Sequence, residues 1–87
     1  MNNQQRQQVI IERLTKKFAP QYIEVIDKSD EHIGHAGAQS GAGHFDLIID
    51  KNCFNEKSTL AIHKAIYAVL NDLIPNEIHA LSIQLRK

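Results

Sequence analysis

Cysteine is nearly absent: Cys53 is the one thiol in the chain. No intrachain disulfide can form, and no Cys-x-x-Cys pair exists for a zinc ribbon or a dithiol redox centre. Tryptophan is missing and aromatics make up only 6%, which leaves little for stacking nucleobases. An excess of either charge is missing too. Lys plus Arg number 10 and Asp plus Glu number 10, so the formal net charge is zero with neutral His. A protein that grips nucleic acid through its phosphates usually carries a basic excess. No apolar run approaches the ~20 residues of a membrane span, and the N-terminus lacks the apolar core of a signal peptide. The cytoplasm is therefore the expected compartment, with no membrane partner. Glycine is scarce, with all 4 residues between Gly34 and Gly43. Their spacing gives neither Gly-x-x-x-x-Gly-Lys-Ser/Thr nor Gly-x-Gly-x-x-Gly, which sets aside a nucleotide cradle of either kind.

Histidine is the unusual presence. There are 5, and His32, His35 and His44 fall in one short segment. Otherwise the composition is that of an ordinary globular protein, 43% hydrophobic and 23% charged. The 87 residues suffice for a single domain, 1–87, with a modest core.

Ile10, Leu14 and Phe18 recur every four residues, widened by Val9 and Ile11, and predict a helix over Asn2 to Phe18. Asn2 or Asn3 can cap it, and Pro20 stops it. Tyr22, Ile23, Val25 and Ile26 predict a strand over Gln21 to Asp27, with apolar residues on both faces and the facing left open. Lys28 to Gly43 reads as a long loop, a length usually reserved for function or disorder. His44 to Asp50 reads as a second strand, with Phe45, Leu47 and Ile49 on one face and His44, Asp46, Ile48 and Asp50 on the other. A turn over Lys51 to Lys57 carries Cys53 and Phe54. Ser58 or Thr59 caps a second helix, whose face is Ile62, Ile66, Val69, Leu70 and Leu73. A short extra helix near Pro75 precedes the last strand, Glu77 to Arg86. There Leu81, Ile83 and Leu85 alternate with Ser82, Gln84 and Arg86, and parity puts His79 on the packed side. The first two strands should pair antiparallel across the loop. The third should lie parallel to the second after a right-handed helical crossover. The expected architecture is a two-layer α+β domain, a three-stranded mixed sheet with helices on one face.

Several chemistries can be weighed on these residues. His79, with His32, His35 and His44, offers too few converging donors for a closed zinc site, which takes four ligands. The set suits a site completed by a partner; equally, His79 reads as a packed, hydrogen-bonded residue at the core edge. Cys53 has no activating partner nearby in sequence and reads as a passive, semi-buried residue. Asp46 and Asp50 would stand roughly 13 Å apart at ~3.3 Å per residue, too wide for a glycosidase pair. His63 reads as an exposed helix residue. Nothing in the chain argues for an enzyme. The element order is compatible with type II KH domains, but Gly34-His35-Ala36-Gly37 falls between strands and not at a helix junction. Arg13, Lys16 and Lys17 form a small basic cluster that reads as a solvated helix face.

Four segments together resemble the BolA family: Gly34-His35-Ala36, Gly43-His44-Phe45, Asp50 through Phe54, and Ile78-His79-Ala80-Leu81-Ser82-Ile83. They follow the family's order and spacing over nearly the whole chain, and the last is the most specific. The resemblance implies an αββααβ, class II KH-like fold. It implies a non-enzymatic adaptor in iron–sulfur cluster trafficking and iron regulation, whose partner is a monothiol glutaredoxin of the Cys-Gly-Phe-Ser type. A 2Fe-2S cluster would be bridged between the two proteins and absent from the isolated chain. Carried over by position, the ligands are His79 and the loop residue His35, with His32 a competitor and His44 ordering the strand start. The chain departs from many relatives after the second strand. Phe54-Asn55-Glu56-Lys57 lacks their glycine, and Ile62-His63-Lys64 lacks their leading arginine. That stretch is associated with nucleic-acid contact, so the alternative is a DNA-binding transcriptional regulator using Lys57, His63 and Lys64. A homodimer is also left open.

Overall fold

Asn2 starts the first helix with a capping box. Its side chain accepts from the Gln5 N–H at 2.8 Å, and the Gln5 side chain accepts from the Asn2 N–H at 2.9 Å. Helix α1 runs Asn3–Phe18 and ends at Ala19, which turns left-handed (φ 48°) and donates its N–H to the Thr15 carbonyl just before Pro20. The computed structural model describes residues 1–29, 43–55 and 57–87. The expected loop, with His32 and His35, therefore lies almost wholly outside the described residues, as does Glu56.

Strand β1 spans Ile23–Asp27, β2 Gly43–Asp50 and β3 Ile78–Arg86. The sheet order is β1-β2-β3. β1 pairs antiparallel with β2, Val25 opposite Leu47 and Ile23 opposite Ile49. β3 pairs parallel with β2, Phe45 opposite Leu81 and Asp50 opposite Arg86. The pairing settles the facing of β1: Val25 is buried and Glu24 exposed. Helix α2, Thr59–Val69, is capped by Ser58, whose hydroxyl accepts from the Ala61 N–H at 3.1 Å. The extra helix expected near Pro75 is a single 3-10 turn, Asn71–Leu73, and a second 3-10 turn, Lys51–Phe54, follows β2. Gly43 belongs to β2 and not to the loop, because its N–H donates to the Glu77 carbonyl at 3.0 Å.

The core lies between the helices and one sheet face. Ile10 and Leu14 of α1 and Ile62 and Ile66 of α2 are fully buried, as are Leu47 and Ile49 of β2 and Leu70 beyond α2. Phe54 closes the far end, its ring centroid 4.7 Å from that of Phe18. β3 is an edge strand, so Leu81, Ile83 and Leu85 are only half-buried. Helix α2 is tied to that edge by the Tyr67 hydroxyl, which donates to the Leu81 carbonyl at 2.8 Å. The helices are tied together by Arg13 of α1. Its guanidinium forms a fork on Asp72 (one arm 3.0 Å) and reaches the Val69 carbonyl at 3.3 Å. Among the described residues, no helix is long and apolar enough to cross a membrane.

Two predictions follow from this packing. Ile66→Ala should lower unfolding stability by about 2–5 kcal/mol, while Leu60→Ala, 66% exposed on the same helix, should change it by about 0.5 kcal/mol or less; urea midpoints read both. The Arg13 hydrogen bond holds the Asp72 carboxyl below the usual aspartate range. A depressed folded pKa adds stability above the ordinary value and loses it as the pH falls through the depressed one. The stability gap between wild type and Asp72→Asn should therefore be full at neutral pH and close in acid.

Candidate functional site

The strict alternation of β3 breaks at its first residues. Gly43 pairs with Ile78 and His44 with Ala80, so one residue of β2 is matched by two of β3. His79 is the extra one, a bulge in a parallel pair. The inward set is consequently Ile78, Leu81, Ile83 and Leu85, and His79 is exposed. This corrects the expectation from parity, which put His79 on the packed side. The sequence signal was the step of three positions from Ile78 to Leu81, where same-face residues of a regular strand are two apart.

The bulge is built from several directions. The Phe45 ring is buried beneath Gly43, so close that a Cβ on Gly43 would lie 2.3 Å from Phe45 Cε2 and 2.4 Å from Cζ. Only glycine fits there without moving the ring. The Glu77 N–H donates to the Leu73 carbonyl at 2.8 Å. Arg6 of α1 holds the Glu77 carboxylate through Nε at 2.9 Å, and its Nη1 reaches Asn3 Oδ1 at 2.7 Å. The Arg6–Glu77 hydrogen bond is also what draws the Glu77 carboxyl below its usual range. The network was invisible in the sequence, since Arg6 and Glu77 stand at opposite ends of the chain.

The bulge brings His79 to His44. Their ring centroids are 4.9 Å apart, tilted by 49°. The two imidazoles differ in access: His44 is buried, with both ring nitrogens enclosed, whereas His79 is exposed. The backbone of His44 is fixed on both sides. Its N–H donates to Ser29 Oγ at 3.1 Å, and its carbonyl accepts from the Lys28 N–H at 2.8 Å. The segment 30–42, which carries His32 and His35, thus leaves at Ser29 and returns at Gly43, both beside this histidine pair. Among the described residues, no group of three or more His, Cys, Asp or Glu is placed to hold a metal.

The other residues singled out lie elsewhere. Cys53 donates its thiol to the Asp50 carbonyl at 3.3 Å. Burial, then the Asp50 charge, push the thiol up, so it is a poor nucleophile. Asp50 itself is buried and structural, accepting from the Tyr22 N–H at 3.1 Å. Lys57 lines a concavity of about 730 Å³ with Lys51, Asn52, Asn55 and Lys87. His63 and Lys64, the expected companions of Lys57, lie on α2 and do not line it. The sequence reading missed Lys51 and Lys87, because only the β2–β3 pairing brings Lys87 to the end of β2.

A family model, relatives and solved structures match this chain. Residues 14–87 match the family model described as BolA-like protein. The chain is 40% identical over 79 residues to SufE-like protein 1, chloroplastic/mitochondrial, of Arabidopsis thaliana, a match covering 85% of this chain and 21% of that protein. It is 30% identical to the DNA-binding transcriptional regulator BolA of Haemophilus influenzae, covering 91% of this chain and 74% of the other. Among solved structures it is similar to the BolA domain of SufE1 from Arabidopsis thaliana. The TM-score is 0.79 at 38% identity, covering 93% of this chain and 90% of that one. BolA1 from the same plant gives a TM-score of 0.76 at 27% identity, covering 92% and 88%.

The close approach at Gly43 yields a prediction. Gly43→Ala should cost about 1–3 kcal/mol through overpacking against Phe45. It should also dislodge the bulge, which is read as loss of the nuclear Overhauser contact between the His44 and His79 rings. An unchanged contact would mean that the bulge does not depend on Gly43.

Proposed function

The chain belongs to the BolA-like family, and on that premise we propose that it is a non-enzymatic adaptor in iron–sulfur cluster trafficking and iron regulation. Its cargo is a 2Fe-2S cluster held jointly with a monothiol glutaredoxin of the Cys-Gly-Phe-Ser type. One observation carries this reading: His79 is an exposed imidazole on a braced bulge, beside the two ends of a histidine-bearing segment. A shared site needs a ligand that a second protein can reach. His79 satisfies that, and buried His44 does not.

The donor set suits the cargo. Neutral imidazole is a fitting ligand for iron, and histidine in place of thiolate raises the reduction potential of such a cluster. His79 is assigned as the first ligand and His35 as the second. His35 and its competitor His32 lie outside the described residues, and their assignment rests on sequence position. His44 packs against the His79 ring and limits how that ring can turn. Gly43, Glu77 and Arg6 hold the strand start from which His79 projects.

A second reading comes from the names of the bacterial relatives, DNA-binding transcriptional regulators. It would use Lys57, His63 and Lys64. The concavity at Lys57 gives it a cationic anchor, while the neutral net charge weighs against it. Duplex binding that weakens steeply with salt and is lost in Lys64→Ala would support this reading. No binding near physiological salt would remove it.

The cluster reading is tested by mixing the chain with cluster-loaded monothiol glutaredoxin and recording visible absorption and circular dichroism. Wild type should change the spectrum. His79→Ala should not reproduce that change, and His63→Ala, on the far helix, should match wild type. A spectrum indifferent to His79 would return this residue to a structural role.

A further inference from the structure

The concavity at the carboxyl ends of β2 and β3 has no part in the cluster reading. Its described lining residues are Lys51, Asn52, Asn55, Lys57 and Lys87. Every one of these side chains carries N–H donors, and no described lining side chain carries a carboxylate. Among the described residues, none of the three ammonium groups has an acid within salt-bridge distance. The chain as a whole is neutral, so this is a local gathering of charge. Like charges held together repel one another, and an anion placed between them removes the cost.

The walls are fixed by the fold. Lys51 and Asn52 lie on the 3-10 turn after β2, which is anchored by the buried Phe54. Asn55 adopts a left-handed conformation (φ 53°), its N–H donating to the Asn52 carbonyl at 3.4 Å. The Lys57 N–H donates to the Phe54 carbonyl at 3.2 Å. Lys87 arrives by the pairing of Asp50 with Arg86.

We propose that this concavity binds the diphosphate group of a soluble phosphate ester. Three ammonium groups match the charge of a diphosphate, and the Asn52 and Asn55 amides supply neutral donors between them. The volume, about 730 Å³, accommodates more than one phosphate. A nucleic-acid backbone fits less well. It requires cations spread along successive phosphates, and single strands also call for stacking aromatics, which the described lining lacks. The site is independent of the histidine end, since His44 and Asp50 stand about 20 Å apart along β2 at ~3.3 Å per residue.

The test is a titration of the full chain with sodium pyrophosphate at low salt, followed by amide NMR. Orthophosphate, sulfate and a short DNA duplex are run as separate arms. Pyrophosphate should give saturable shifts at the Asn52 and Asn55 side-chain amides and at the backbone amides of Lys51, Asn52, Asn55 and Lys57, while His79 stays still. Lys51→Ala combined with Lys87→Ala should weaken binding by about tenfold or more, and Lys64→Ala should leave it unchanged. Both altered lysines are exposed, and an unshifted thermal midpoint would show that the double variant is folded. Three results would overturn the proposal: no saturable shift at millimolar pyrophosphate, equal response to sulfate, or duplex binding tighter than pyrophosphate.

Discussion

The pairing of β3 against β2 sets the position of nearly everything with chemistry in this chain. It is parallel, so both strands begin at one end of the domain and finish at the other. At the beginning, the extra residue turns His79 outward beside His44. At the finish, the same ladder brings Lys87 to the turn that carries Lys51 and Lys57. Inward, it aligns Leu81 with Phe45 and Ile83 with Leu47, so that the edge strand shares the core. A register slip of one residue would undo all three, because side chains alternate faces with period two.

Bulges interrupt the ladder and leave a residue unpaired, so they persist only where neighbours enforce them. Here the enforcement comes from both ends of the sequence. Gly43 admits the Phe45 ring beneath the backbone, and its N–H takes the Glu77 carbonyl. Arg6, on the first turns of α1, holds the Glu77 side chain. Helix α1 thus packs the core with Ile10 and Leu14 and also braces the start of the last strand. The exposed position of His79 is a product of the tertiary structure, as much as the burial of Phe45 is.

Two histidines separated by 4.9 Å between ring centroids differ in access: one is buried and the other exposed. His44 is enclosed and its backbone is held by Ser29 and Lys28, which suits it to order the strand start. His79 keeps its access to solvent and to anything that docks at this end. The proposed adaptor role would call for an incomplete site of this kind, since a closed four-ligand cage would leave no place for a partner. The lysine-lined end presents a second chemistry, remote from the first. Its cations are balanced elsewhere in a neutral chain, which limits non-specific attraction to polyanions.

The sequence by itself determined the elements and the sides that most of them bury. The four-residue recurrence of Ile10, Leu14 and Phe18 fixed α1, Ser58 and the Ile62–Ile66 spacing fixed α2, and the alternation of Phe45, Leu47 and Ile49 fixed the inner face of β2. The family was legible in short segments such as Gly43-His44-Phe45 and Ile78-His79-Ala80, and at Gly43 the Phe45 ring leaves no room for a side chain. Tertiary structure decided where His79 points: the Ile78-to-Leu81 spacing marks a break in β3, but a bulge is a mismatch between two strands and periodicity is read within one. It likewise decided the Arg6–Glu77 brace, the approach of Lys87 to Lys51 and the facing of β1. Each of these joins residues distant in sequence, and only the folded sheet and helices bring such residues within reach of one another.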